Sequence, residues 1–214
     1  MAKPKVLVAG FGPFPGAAKN PSGRLARDVA RSRRIAASGA KIAAVVMPTV
    51  YREVFTTLYR VLKSEQPDVV LMFGLAGSTP YLRIETRAAN AASRIHPDAA
   101  GEKPADRSLI AGAPPFLTVS APVRRLIAAA RQAGARAELS IDAGGYICNA
   151  AFFHALEIAR KTGTPKLVAF VHIPWPCPSN RRKARTQRRR PPSHEALYRA
   201  GEEILLALIA AARA

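Results

Sequence analysis

The amino-acid sequence predicts a single α/β domain over residues 1–214, built as a three-layer α/β/α sandwich around a mostly parallel, mixed sheet. Three observations lead to this prediction. The chain has 214 residues and 49% hydrophobic content, which fits one domain with a substantial core. Short apolar runs alternate with helical patterns along the chain, as in α/β proteins. The apolar runs lack polar alternation, which is typical of parallel strands covered on both faces.

The first apolar run, residues 5–9, predicts a buried strand that ends in a proline-rich loop over residues 10–16. This loop carries Phe11 and Phe14 at the carboxyl end of a strand, where α/β proteins place ligands. Packing into the core is the alternative role for both rings. The prolines exclude a dinucleotide-binding fingerprint, because the last glycine of that motif must open a helix.

Asn20 and Pro21 predict the capped start of a helix over residues 23–36. The next predicted elements are a strand over residues 41–47, a helix over 50–64 and a strand over 69–73. Residues 81–87 then alternate apolar and polar side chains, which predicts a half-exposed strand with Glu85 on its polar face.

Residues 90–115 lack any sustained period, and a loop of this length usually has a task such as covering a site. Alternating helices and strands follow: a helix over residues 122–133, a strand over 136–141, a helix over 150–161, a strand over 167–171 and a helix over 194–212. His172 follows the last strand, and Ser193 is placed to cap the last helix.

The formal net charge is +19, and it is unevenly distributed. Basic residues cluster in one short run: Arg181, Arg182, Lys183, Arg185, Arg188, Arg189 and Arg190. Like charges repel, so the sequence predicts a basic, mobile loop over residues 179–192. Non-specific attraction makes nucleic acid a conceivable partner, although the run has no aromatic side chain on which a base would stack.

Two cysteines in a chain of this length do not form a disulfide framework, so a reducing, cytoplasmic location is expected. The N-terminal segment shows no pattern of a signal peptide. The apolar run over residues 204–212 is too short to cross a bilayer, and no membrane partner is predicted.

Cys148 stands where a strand-like run breaks at Gly144 and Gly145 and a helical pattern begins. A cysteine at a helix N-terminus meets free backbone N–H groups and the positive end of the helix dipole, which favour the nucleophilic thiolate. The alternative is a small core residue, since free cysteine is often buried.

A cysteine nucleophile needs an imidazole to carry the proton and a third group to orient that imidazole. His172 at a strand end and the carboxylate of Glu85 are the candidates, against the alternatives of an ordinary strand-end histidine and a solvated charge. Three other histidines are rival bases that end no buried strand: His96, His154 and His194. A zinc site is the chemical rival, built from Cys148, His172 and Cys177, but the spacing matches no familiar ligand pattern.

The sequence resembles the pyroglutamyl-peptidase I (pyrrolidone-carboxylate peptidase) family of cysteine peptidases over nearly its whole length. The matching segments are Gly10-Phe11-x-Pro13-Phe14, Asn20-Pro21-Ser22, Gly74-Leu75-Ala76-Gly77, Glu85 with Ala88 and Asn90, Pro97-Asp98 with Gly101, Ala143-Gly144-x-x-x-Cys148-Asn149, and Phe170-x-His172-x-Pro174. The resemblance implies Cys148 as nucleophile, His172 as base and Glu85 as third member. It also implies an omega-peptidase that removes N-terminal pyroglutamyl residues through a thioester, with no metal or organic cofactor, and a dimer or tetramer.

Some positions depart from the family pattern. Thr86 follows Glu85 where the family has arginine, and Arg94 is the nearest match to a loop arginine that assists the family's active site. We expect the backbone N–H of Cys148, with Arg94, to hold the oxyanion. Because pyroglutamate is an uncharged lactam, its ring should lie among aromatic side chains: Phe11, Phe14 and Tyr146. The alternative function is a catalytically impaired family member that binds nucleic acid or another anionic surface.

Overall fold

A computed structural model describes residues 3–177 and 191–214. The strands are β1 (Lys5–Phe11), β2 (Lys41–Met47), β3 (Val69–Leu75), β4 (Leu82–Glu85), β5 (Arg87–Ala89), β6 (Phe116–Thr118), β7 (Ala137–Ser140) and β8 (Leu167–Ile173). The helices are α1 (Pro21–Ala30), α2 (Arg33–Ala37), α3 (Tyr51–Glu65), α4 (Val123–Gln132), α5 (Ile147–Thr162) and α6 (His194–Ala211). These elements form a single α/β domain.

The main sheet has six strands in the order β2-β1-β3-β8-β4-β7. Strands β2, β1, β3 and β8 run parallel, while β4 pairs antiparallel with β8 and parallel with β7. The predicted mostly parallel, mixed sheet is therefore confirmed. Strands β5 and β6 form a separate antiparallel pair.

Each face of the sheet is covered by helices, which confirms the three-layer architecture. Val8, Leu71 and Phe73 point to the face packed by α1, α4 and α6. Leu7 and Met72 point to the opposite face, where α3 and α5 pack. This alternation leaves the strands buried on both sides, which is why their sequences read as continuous apolar runs.

The predicted helix over residues 23–36 is wrong in one respect, because it is divided into α1 and α2. Ser32 interrupts it with extended backbone, and its hydroxyl oxygen accepts hydrogen bonds from the N–H groups of Arg34 and Ile35. The same hydroxyl donates to the buried carboxylate of Glu202. Serine thus caps a new helix where the periodicity alone suggested a continuous one.

The predicted strand over residues 81–87 is also divided, here at Thr86. Its backbone N–H donates to the Ser140 carbonyl oxygen at 2.8 Å, and its carbonyl accepts from the Val119 N–H. The chain therefore leaves the main sheet after β4 and forms β5. Strand β6, the partner of β5, lies in a segment that showed no recognisable strand pattern.

The long segment over residues 90–115 contains neither helix nor strand, as predicted. Buried polar side chains attach it to the domain. The Asn149 amide on α5 bonds with the backbone of Ala89 and Ala91, and the Asp98 carboxylate accepts the Tyr51 N–H at 2.9 Å. The basic loop predicted at 179–192 falls almost entirely outside the described residues. In the described part of the chain, no helix is both long and apolar enough to span a membrane.

Candidate active site

The carboxyl ends of the parallel strands β1, β3 and β8 lie together, and α5 begins beside them. A cavity of about 470 Å³ opens at this edge of the sheet. Its lining includes Phe11, Phe14, Leu75, Arg83, Tyr146, Cys148 and His172. The volume lies within the usual range for small-molecule sites, and the position is the one at which open α/β sheets bind ligands.

Glu85 and His172 meet through the antiparallel pairing of β4 with β8. Glu85 faces Phe170 and Arg83 faces His172 in the register, so the glutamate and the histidine are diagonal neighbours on one face. The His172 Nδ1 lies 2.8 Å from Glu85 Oε1. A hydrogen bond from Nδ1–H to the carboxylate leaves the other ring nitrogen free to accept a proton.

The expectation that Glu85 lies on a half-exposed strand face is wrong, because the residue is fully buried. Strand β4 is held between β8 and β7, so neither of its edges is free. The charge has a partner that sequence analysis missed: Arg83 Nη2 lies 2.9 Å and Nε 3.1 Å from Glu85 Oε1. The signal was present, since residues two apart on a strand share a face.

Cys148 is the second residue of α5, which confirms its predicted place at a helix start. The N-cap residue, Tyr146, makes no side-chain capping bond, so the first N–H groups of the helix remain available. The pKa of the Cys148 thiol is nevertheless raised to about 12, mainly by burial and to a smaller extent by the Glu85 charge. Hydrogen bonds from the Leu75 and Cys148 N–H groups lower this pKa, but by less. In the resting site, desolvation therefore opposes the effect of the helix terminus on the Cys148 thiol.

Aromatic side chains form one wall of the cavity. The Phe14 ring lies 5.7 Å from the ring of Tyr146, whose hydroxyl donates to the Pro97 carbonyl at 3.0 Å. Phe11 lines the cavity while its ring is only 1% exposed and lies 6.1 Å from Phe170. The two roles considered for Phe11, core packing and cavity wall, are thus combined.

Arg94 does not reach the cavity. Its side chain is exposed, and the neighbouring His96 and Pro97 line the cavity instead. The hydrogen bond from Ser93 N–H to the Gly145 carbonyl, 2.6 Å long, fixes the chain just before Arg94. The zinc alternative also lacks support, since no three His, Cys, Asp or Glu side chains are grouped for a metal in residues 3–177 and 191–214.

Comparison with known proteins agrees with this geometry. A family model described as pyroglutamyl peptidase matches residues 4–212, nearly the whole chain. The chain belongs to the pyroglutamyl peptidase family. The pyrrolidone-carboxylate peptidase of Thermococcus kodakarensis is 35% identical over 80% of this chain and 81% of its own length. That of Gloeobacter violaceus is 36% identical over 80% of this chain and 82% of its own length.

Solved structures of the pyroglutamyl peptidase family share the fold as well. The pyrrolidone carboxyl peptidase from Thermococcus litoralis superposes with a TM-score of 0.84 at 28% identity, covering 97% of this chain and 94% of that one. A mutant enzyme from Pyrococcus furiosus gives a TM-score of 0.85 at 27% identity, covering 97% and 99%. The fold of the family thus extends over all the segments that form the cavity.

Sequence analysis did not assign several residues to this pyroglutamyl peptidase cavity: Asn20, Thr49, Leu75, Ser78 and Arg83. His96, which also lines the cavity, was weighed only as a rival base. Asn20 was assigned only as a helix cap, and it does accept the Ser22 N–H while its amide donates to the Gly12 carbonyl. Thr49 donates its hydroxyl to the Pro13 carbonyl and so holds the same loop. These residues reach the site through loop packing, which has no periodic sequence signal.

Proposed function

We propose that this chain is a pyroglutamyl peptidase that uses Cys148 as nucleophile, His172 as base and Glu85 as the residue that orients the base. The observation that carries the proposal is the shared cavity, with the thiol at the start of α5 and the His172–Glu85 pair beside it. Family membership and the names of the relatives, pyrrolidone-carboxylate peptidases, support the substrate class.

The first half-reaction forms a thioester. The Cys148 sulfur attacks the pyroglutamyl carbonyl carbon while His172 takes the thiol proton, which matches a thiol that stays neutral until substrate arrives. His172 then returns the proton to the amine as the carbon–nitrogen bond breaks. The uncapped N–H groups at the start of α5 are the donors best placed for the oxyanion, each worth about 3 kcal/mol.

Water completes the reaction. His172 accepts a proton from the water as its oxygen attacks the thioester carbonyl, and the sulfur of Cys148 leaves with that proton to regenerate the thiol. Pyroglutamate is released. The hydrogen bond to Glu85 stabilises the imidazolium that forms in each half-reaction.

The aromatic wall supports selection of an uncharged ring. Placing an unpaired ammonium between Phe14 and Tyr146 would remove its hydration without replacing it, which costs several kcal/mol. A lactam avoids this cost because it has no charged amine. Peptides with an ordinary N-terminus are therefore expected to be poor substrates. Homo-oligomer formation stays a prediction.

The test compares fluorogenic amides of pyroglutamate, proline and glutamine. We expect hydrolysis of the pyroglutamyl amide only, and near-background rates in Cys148→Ala and His172→Ala, with residual activity in Glu85→Gln. Phe14→Ala should lose efficiency and selectivity, whereas Tyr59→Ala, an exposed aromatic outside the cavity, serves as the control. Equal cleavage of the prolyl amide by the wild type, or full activity in Cys148→Ala, contradicts the proposal.

A further inference from the structure

The Glu85 carboxylate is buried in this site, and burying a charged group costs free energy unless it is paired. Its side chain is fully buried, and its Oε1 atom lies within hydrogen-bond distance of His172 Nδ1 and Arg83 Nη2. The second oxygen, Oε2, is buried with no hydrogen-bond partner within the described residues. A buried carboxylate without a cation beside it is strongly disfavoured and tends to take up a proton. A protonated Glu85 would hold the His172 imidazole only weakly.

Arg83 is the cation that lies beside the Glu85 carboxylate and pairs with its charge. It approaches Oε1 with two nitrogen atoms, and its side chain is only 21% exposed, so solvent screens the pair weakly. Arg87, the next arginine along the chain, is oriented differently. Its Nε donates to the Ile141 carbonyl at 2.9 Å, and its guanidinium lies 4.2 Å from the Phe116 ring centre.

Arg83 makes a further bond that reaches toward the nucleophile. Its Nη2 donates to the Asp142 carbonyl. Asp142 precedes the Ala143–Gly144 part of the cavity wall, and the chain enters α5 a few residues later. One guanidinium thus connects the carboxylate that orients the base with the segment that leads to the thiol.

We propose that Arg83 is a positioning residue for the peptidase reaction, holding the Glu85 carboxylate toward His172 and fixing the segment before Cys148. This inference rests on the proposed function. It does not follow from the resemblance to the family, in which the arginine near the glutamate directly follows it, where this chain has Thr86. Here the charge comes from the same face of β4, two residues earlier.

The first experiment measures kcat and KM of Arg83→Met and Arg83→Lys with the pyroglutamyl amide. Since coupled charged groups commonly interact by amounts worth about 3- to 100-fold, we expect kcat of Arg83→Met to fall about 10- to 100-fold with little change in KM. Arg83→Lys should recover part of the loss, because lysine keeps the charge without the two-nitrogen contact. Arg87→Met is the matched control and should stay within about threefold of wild type.

The second experiment separates positioning from a structural role. Adding Arg83→Met to Glu85→Gln should cost less than about threefold more, since the charge that Arg83 serves is gone. Full additivity of the two substitutions, or equal losses in Arg83→Met and Arg87→Met, overturns the proposal.

Separate control experiments distinguish a folding defect in Arg83→Met from a failure of the proposed function. If Arg83→Met does not fold, Arg83→Met/Glu85→Gln should fold, as it lacks the orphaned charge; an unfolded double variant overturns the proposal. If wild type fails to cleave the pyroglutamyl amide, the proposed function falls. The arginine can then still be tested by the iodoacetamide reaction of Cys148, whose pH dependence should change in Arg83→Met and stay unchanged in Arg87→Met.

Discussion

At the scale of single residues, the chemistry of the site depends on when the Cys148 proton leaves. Burial keeps the pKa of the thiol near 12, so at neutral pH the resting side chain is uncharged. A neutral thiol can be buried at low cost, whereas a thiolate in the same place would need a close cation. In the proposed reaction, deprotonation is thereby tied to attack on the substrate, with His172 as the acceptor.

Gly74 determines how closely His172 can approach the cavity. A Cβ at this position would lie 2.8 Å from two carbons of the Phe170 ring and 2.9 Å from His172 Cδ2. Such contacts are too short, and the strand backbone holds both rings, so Gly74→Ala must displace the imidazole. We expect kcat/KM to fall at least about tenfold and stability to fall by about 1–3 kcal/mol.

The measurement for Gly74→Ala is kcat/KM with the pyroglutamyl amide together with chemical denaturation. Gly12→Ala is the control, because its added Cβ would lie 3.6 Å from the Met47 carbonyl oxygen, an ordinary contact. Wild-type activity in Gly74→Ala would contradict this prediction, because it would show that the His172 imidazole can shift away from Gly74 without loss of function.

At the scale of elements, sequence patterns predicted what local periodicity controls. The buried strands, the helix that begins at Cys148 and the Asn20 and Ser193 caps were all predictable, because each has a local signal. The antiparallel pairing of β4 with β8 was not, since register depends on contacts distant in sequence. That register places Glu85 beside His172. The exposed position of Arg94, outside the cavity lining, could not be predicted either, because a loop path has no period.

The long loop over residues 90–115 is attached to the domain by a side chain that also caps a helix. Helix α3 has no side-chain cap of its own, and Asp98 supplies one from the loop through the Tyr51 N–H. The other Asp98 oxygen accepts the N–H groups of Ala100 and Glu102. One buried carboxylate therefore stabilises both the helix start and the loop turn beside Pro97.

Asp98→Ala should destabilise the protein by about 1–2 kcal/mol, the usual loss for a helix cap, and more if the buried N–H groups stay unpaired. Because His96 and Pro97 line the cavity, KM for the pyroglutamyl amide should rise more than kcat falls. Glu102→Ala, which removes only an exposed ion pair with Arg52, should change stability by less than about 1 kcal/mol. Equal effects of the two variants on KM would show that Asp98 does not hold the cavity wall.

At the scale of the whole molecule, the net charge of +19 first suggested an anionic partner as an alternative to catalysis. The basic run over residues 181–190 lies outside the described residues, and family membership supports the peptidase interpretation. The loop over residues 90–115, whose altered sequence motivated it, is packed against α5 through Asn149 and against α3 through Asp98. Charge alone gives attraction that salt weakens, which does not define a function.

The stability of the molecule should depend on pH through His154, a half-buried histidine outside the active site. Its ring centre lies 3.9 Å from that of Phe55, and its Nε2 has no hydrogen-bond partner within the described residues. Burial lowers the pKa of His154 to about 4, partly opposed by the charge of Glu157. The unfolded chain, with a histidine pKa near 6.5, therefore binds this proton first as the pH falls.

The contribution of neutral His154 to the free energy of unfolding is therefore complete above about pH 6.5 and decreases as the pH falls toward 4. Between pH 7.5 and 5 we expect a loss of about 1–2 kcal/mol after allowance for partial solvent screening. Glu157 contributes little to this pH dependence. The Arg160 hydrogen bond lowers the pKa of its carboxyl to about 2 in the folded chain, and its ordinary pKa of 4.5 in the unfolded chain also lies below pH 5. Urea denaturation at both pH values should show the loss in wild type and in His96→Gln, whose imidazole is exposed, but not in His154→Leu. An equal loss in His154→Leu would place the acid sensitivity in some other group and leave His154 as an inert part of the α3–α5 contact.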